Sequence, residues 1–431
     1  MTRPAPDHAR PPEPHRDSTA RAVSSTDRLL GGTLIGVGLG PLDLPGHAEL
    51  GDALVRIAAM GPATRVGLVL ADEGHWREVG VRIAERTGEI FRVAPASVGD
   101  PRDWLREHWI EDLPVQFAIA GDRLGMLMDH RLSDASLSAM LPLALIDVAR
   151  GRPVPSAFGN LTERPLPTAL SATFGTRPGR WLALADDFRR YRAGGPEAAT
   201  PGPRLSVPST RQLTAVVGPE QFARLRAHCR GRIALGPALA LVAGAAMRAA
   251  GLAVSDRAEL VVDLRRYLPA GEHTLANFIA GLEIPLAGAG VAAVHERVNQ
   301  ALAVGRPLAT AALGAGRARL ASRLPSLPSS GRAQAGPAAL PPGRISMSSL
   351  GRLRAFEKLP WTVPPEQRWA AAHTEPGASG TLGFIAIVMD ARLHLHLTWR
   401  AEEFDRTRVA AGAALIAADP VALLEDADRR C

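Results

Sequence analysis

The stretch LPVQFAIAGDRLGMLMDHRLSDASL (113–137) constrains the fold of this chain more than any other. Two apolar runs, Val115 to Ala120 and Leu124 to Met128, flank Gly121-Asp122, a two-residue turn signal that predicts an antiparallel hairpin. The second strand leads directly into His130. After Asp134 the apolar spacing becomes helical from Ala135 to about Ala149, and Gly151 closes the helix. The reading is strand, short loop, helix, with an imidazole at the strand end where side chains project into clefts.

The remaining pattern repeats this alternation on both sides of a Pro-rich middle. With 431 residues the chain is too long for one ordinary core and is expected to hold two domains or two halves of one fold. Residues 1–28 read as a disordered tail and 29–195 as a first half bearing the His130 segment. Residues 208–431 form the second half, with a mobile or crossover segment at 305–343 that is dominated by Gly, Ala, Pro, Ser and Arg. In the first half, strands are expected at Thr33 to Gly38 and Arg65 to Leu70, with a helix across Leu50 to Met60. In the second, strands are expected at Gln212 to Val217, Leu260 to Leu264, Arg344 to Ser349, Leu382 to Met389 and Leu393 to Trp399. Helices follow Pro219 and Pro237, and a last one spans Phe404 to Ala417. This order gives a mixed α/β protein with two comparable halves.

Composition narrows the partners. Only Cys229 and Cys431 occur, so no disulfide framework can form and a cytoplasmic setting is expected. No cysteine or histidine spacing suits a structural zinc. The net charge is +7, yet Lys358 is the only lysine and the arginines are scattered among acids. With aromatics at 4%, this excludes a nucleic-acid reader, which needs a clustered basic stripe. The longest apolar run, Ile233 to Met247, is broken by Gly and Pro and falls short of the roughly 18–20 residues a bilayer demands. No transmembrane segment and no secretory leader are expected.

His-x-x-x-Asp occurs twice, at His130–Asp134 and at His108–Asp112. With 12 histidines and 22 aspartates in the chain, about 0.6 matches arise by chance, so context must choose. His108 lies among Trp104, Trp109 and charged residues before the hairpin and reads as a surface position. His130 leaves an apolar strand and is followed by small residues, Ser133, Ala135 and Ser136. An imidazole there suits proton abstraction from a nucleophile. The same pattern also fits a histidine satisfied within a turn, with Asp134 capping the next helix.

The segment around His130 resembles the active-site hairpin of the superfamily of condensation domains, polyketide-associated acyltransferases, alcohol acetyltransferases and chloramphenicol acetyltransferase. Other blocks follow in that superfamily's order: AAMGPATRVGLVL (58–70), LVVDLRRYLP (260–269), LANFIAGLEIPL (275–286), RISMSSLGRL (344–353) and LHLHLTWRAEEFD (393–405). The resemblance covers about residues 29–418. It implies an α/β fold of two chloramphenicol-acetyltransferase-like halves, a pseudo-dimer with a central tunnel, working as a monomer. It implies transfer of an acyl group from a thioester, coenzyme A or an acyl carrier protein, to a small-molecule alcohol or amine acceptor. No cofactor is implied; acyl-CoA or acyl-phosphopantetheine is the substrate. His130 matches the catalytic base. Asp134 matches the aspartate that shapes the loop, and Arg265, rather than its neighbour Arg266, matches that aspartate's partner. Ser346 and Ser348 fall where a hydroxyl can support an oxyanion. Asn277 reads as a turn residue. Two departures stand out: Asp129 replaces the superfamily's first histidine, and Ala135 replaces its glycine. They leave open a non-catalytic condensation-like module that docks carrier proteins or tailoring enzymes. A membrane-associated glycolipid or wax-ester type acyltransferase is a further alternative.

Overall fold

The computed structural model describes residues 20–28, 31–175, 177–191, 210–321 and 342–429. Around the hairpin, five strands form one sheet in the order Trp369–Thr374, Leu34–Gly40, Arg123–Asp129, Val115–Ala120 and Phe91–Val93. Val115–Ala120 and Arg123–Asp129 pair antiparallel as the sequence predicts, with Ala120 opposite Arg123. Gly121 takes a φ of 60° in the turn, a backbone state that only glycine adopts freely. On the far side of Arg123–Asp129, Leu34 lies opposite Asp129. Helices His47–Ala58 and Ala135–Ala149 cover one face, burying Leu50, Leu54, Leu137 and Leu141 with Phe117, Met126 and Met128. The other face carries the short helix Pro101–Glu107, where Leu105 packs with Leu127, Ala118 and Leu34. Burial on both faces explains why these strands read as apolar runs rather than as alternating ones.

The second half is built on a six-stranded sheet. Its order is Ile279–Pro285, Val254–Asp263, Gly343–Arg352, Thr381–Met389, Arg392–Arg400 and Thr210–Val217. Gly343–Arg352 runs parallel to both neighbours, and the remaining pairs are antiparallel. Helices Pro219–Cys229, Leu235–Ala249, Arg406–Ala418 and Pro420–Arg429 close one face over Ile345, Met347, Phe384, Leu395 and Leu397. The opposite face turns to the first half, where the Thr398 hydroxyl donates to the Thr374 carbonyl at 2.9 Å. A third, three-stranded sheet joins Ala20–Ala22, His75–Glu78 and Leu68–Asp72.

Three expectations change. Residues 369–374, assigned by the sequence to the second half with no strand expected there, form strand Trp369–Thr374 and complete the first half's sheet by pairing antiparallel with Leu34–Gly40. Gly36 and Gly38 make room for it: a Cβ at Gly36 would sit 2.3 Å from His373 Cε1, and one at Gly38 2.4 Å from Trp369 Cη2. Within the expected tail, Ala20–Ala22 is a strand and Ser25–Arg28 a helix, anchored by pairing to His75–Glu78 and by the burial of Asp27; residues 1–19 lie outside the described residues. Within the expected mobile segment 305–343, Arg306–Ala321 is a helix that buries Leu308, Ala309, Ala311 and Ala315. Residues 322–341 of that segment lie outside the described residues.

A buried polar cluster ties the halves where Trp369–Thr374 crosses over. Arg102 Nη1 lies 2.9 Å from His373 Nδ1, and Arg106 Nη2 lies 2.7 Å from its Nε2. Arg106 Nε donates to Glu375 Oε1 at 3.1 Å, and Glu375 Oε2 accepts the Leu34 N–H at 3.0 Å. Burial, and then the charges of Arg102 and Arg106, hold the His373 imidazole well below its ordinary pKa, so it is neutral.

Candidate active site

His130 follows the last residue of strand Arg123–Asp129 and is 5% exposed. Its backbone N–H continues the ladder by donating to the Thr33 carbonyl at 3.0 Å. Its Nδ1 lies 3.0 Å from the Ser133 carbonyl oxygen. A carbonyl only accepts, so Nδ1 carries the proton and Nε2 keeps its lone pair. Among the described residues no hydrogen bond engages Nε2. Burial pushes the imidazole pKa below its ordinary value; hydrogen bonding and the charges of Asp134 and Asp129 oppose the shift without cancelling it. The ring is therefore a neutral base of fixed tautomer at physiological pH.

The loop from His130 to Asp134 is shaped from both halves. Asp134 caps helix Ala135–Ala149, its Oδ1 accepting the Ser136 N–H at 2.9 Å. Across the molecule, Arg265 sits in the turn Leu264–Tyr267 that ends strand Val254–Asp263. Its Nη1 and Nη2 donate to Asp134 Oδ2 and Oδ1 at 3.0 and 3.1 Å, a bidentate fork. The rest of the guanidinium is also engaged, by Asp263 Oδ1 and by the carbonyls of Thr274 and Ala276. The Phe278 N–H donates to Asp134 Oδ2 at 2.9 Å. Burial works to raise the Asp134 pKa, but the Arg265 charge and hydrogen bonds and the two backbone donors bring it below the carboxylate range. Asp134 is thus a fixed anion rather than a proton acceptor.

Segment 274–278 cradles the same loop. The Ser133 hydroxyl donates to the Leu275 carbonyl at 2.5 Å, and Asn277 Nδ2 donates to the His130 carbonyl at 3.1 Å. Asn277, read from sequence as a turn residue although it stands in the block LANFIAGLEIPL, is a buried contact of His130. Asp129, which precedes His130, directs its carboxylate to the backbone N–H and guanidinium of Arg131. His108 closes helix Pro101–Glu107 at the surface, stacked on Trp104 with ring centroids 4.3 Å apart.

Asp134 and Arg265 are thus joined directly, and His130 opens the loop that they hold. Ser346 and Ser348 lie on strand Gly343–Arg352, alternating with buried Ile345 and Met347, so their side chains are on the sheet face opposite the helices. Ser346 pairs with Gly383, and Gly383 faces Thr398 on the side that meets the first half. No hydrogen bond joins either serine hydroxyl to His130.

No protein-family model matches the sequence, and no curated protein matches it. Solved structures define the class: the fold is that of condensation domains and chloramphenicol-acetyltransferase-like acyltransferases, a mixed α/β pseudo-dimer of two lobes. One such structure is TRI3, trichothecene 15-O-acetyltransferase from Fusarium sporotrichioides. It matches 96% of this chain and 96% of its own at 11% identity, with a TM-score of 0.55. Another is the first condensation domain of the calcium-dependent antibiotic synthetase, with 95% and 99% covered, 16% identity and a TM-score of 0.54. The nonribosomal peptide synthetase FmoA3 matches 96% of this chain at 19% identity and a TM-score of 0.55. The present chain spans only 43% of that synthetase. At these identities the likeness is one of fold.

Proposed function

We propose that this protein is an acyltransferase in which His130 Nε2 deprotonates an alcohol or amine as it attacks the carbonyl carbon of an acyl thioester. The new C–O or C–N bond forms as the C–S bond breaks. The proton taken by Nε2 passes to the departing thiolate, leaving an ester or amide and a free thiol. The donor is acyl-CoA or an acyl carrier protein. Direct transfer requires neither an acyl-enzyme nor a cofactor. Asp134 and Arg265 hold the loop that aims the imidazole. Ser346 or Ser348 supplies a hydroxyl to the developing oxyanion.

The observation that carries this reading is the buried, neutral His130, protonated at Nδ1 by its bond to the Ser133 carbonyl and left with an unengaged Nε2. The test is product formation. The protein is incubated with acyl-CoA and acyl-pantetheine panels and mixed alcohol and amine acceptors, and products are read by mass spectrometry. Wild type and His108→Ala form the same ester or amide, and His130→Ala forms none. Product formed equally by His130→Ala contradicts the assignment of His130 as the base, and no acceptor-dependent product from either protein favours a docking module over a catalyst.

A further inference from the structure

We infer that Asn277 is a positioning residue for His130, and that Asp27 in the N-terminal segment holds Asn277 in place. This inference rests on the reading of His130 as the base. The His130 carbonyl lies one residue past the end of strand Arg123–Asp129, where it needs a hydrogen-bond donor. Asn277, 2% exposed, fills that role through Nδ2 at 3.1 Å. The His130 peptide is then held on both sides: its N–H by Thr33 of the first half, its carbonyl by Asn277 of the second. Together with the Nδ1 bond to Ser133, this fixes the backbone that carries the imidazole as well as its tautomer.

Asn277 is itself clamped. Its backbone N–H donates to Asp27 Oδ1 at 3.3 Å. Asp27 is 1% exposed, and both its oxygens accept from Arg65 Nη2, at 3.3 and 3.0 Å. The Ser24 hydroxyl oxygen accepts the Asp27 N–H at 3.1 Å. A continuous relay thus runs from Arg65 through Asp27 and Asn277 to His130, and it joins the N-terminal segment to both halves. Stability alone does not explain Asn277, because its Oδ1 is buried with no hydrogen-bond partner among the described residues. An unpaired buried acceptor carries a desolvation cost, which an apolar side chain of this size would avoid. What the carboxamide supplies in exchange is the Nδ2 bond to His130.

The test is an imidazole NMR titration of full-length protein, with His130 signals assigned by difference against His130→Gln. Thermal melts and turnover are measured in parallel. In wild type the His130 nitrogens report a single Nδ1–H tautomer that titrates below the ordinary imidazole range. In Asn277→Ala they shift toward a tautomer mixture and the midpoint moves. kcat falls about 10- to 100-fold while KM for the thioester stays within about twofold, as misplacing a positioned group predicts. Asp27→Asn, which keeps an acceptor for the Asn277 N–H but removes the charge held by Arg65, moves the same signals less; it also decides the matter should Asn277→Ala fail to fold. A folded Asn277→Ala with wild-type His130 signals and turnover overturns the inference, and unchanged signals in Asp27→Asn overturn the role of Asp27. If the signals respond but wild type transfers no acyl group, the positioning role stands and the functional reading falls.

Discussion

Arg265 decides whether Asp134 can stay ionised in a site that excludes water. The two side chains are 10% and 2% exposed, so neither charge has water as an alternative partner. Replacing Arg265 by Met leaves a buried carboxylate with only backbone donors. Loss of one partner from a buried pair costs about 3–5 kcal/mol. Urea unfolding should show that loss, and turnover should fall with it as the His130 loop slackens. A variant within about 0.5 kcal/mol of wild type would contradict the clamp. His130, Asp134 and Arg265 were legible in the sequence because a motif and its ordered blocks carry them. Asn277 and Asp27, as a contacting pair, were not legible. They lie 250 positions apart and meet through a backbone amide, a contact that leaves no trace in residue type or spacing.

At the scale of elements, the hairpin and its following helix were legible almost to the residue. Helix Ala135–Ala149 begins and ends where its periodicity does, and paired apolar runs around Gly121-Asp122 dictate the strands. Strand Trp369–Thr374 was missed because its pairing is wholly non-local and its centre is three alanines, which bear no strand signal. Helix Arg306–Ala321 was missed because Pro307, Gly314 and Gly316 read as breakers of a loop, whereas burial of Leu308 and Ala311 with Ala169, Phe174 and Leu264 decides the matter. The seat of Trp369–Thr374 yields a test. Gly36→Ala drives a methyl into the His373 ring, which is gripped by two arginines and has little room to move. Overpacking of this kind costs about 1–3 kcal/mol. The urea midpoint should drop accordingly, while Gly99→Ala, where a Cβ meets nothing within 4 Å, should leave it unchanged. Equal midpoints for both variants would show that the strand is not seated as described.

Taken as a whole, the molecule keeps four buried histidines neutral: His130 in the site, His373 in the crossing strand, and His394 and His396 on the facing sheet. Burial is the leading cause in each, and all four pKa values lie below the ordinary imidazole value of about 6.5. The unfolded chain therefore takes up protons in a window where the native state does not. Above about pH 6.5 both states are neutral at these groups and they add no slope; below it, stability falls until the folded pKa values are reached. Melting temperatures taken from pH 7.5 down to 5 should decline through that window, and a flat or rising trend would refute the buried neutral state. The central claim is narrower: His130 is the base. The most direct measurement is steady-state thiol release from an acyl thioester in the presence of its acceptor, comparing wild type with His130→Ala. The account predicts acceptor-dependent release that falls by about 10²- to 10⁴-fold in the variant, with KM for the thioester preserved. Equal release by the two proteins would contradict it.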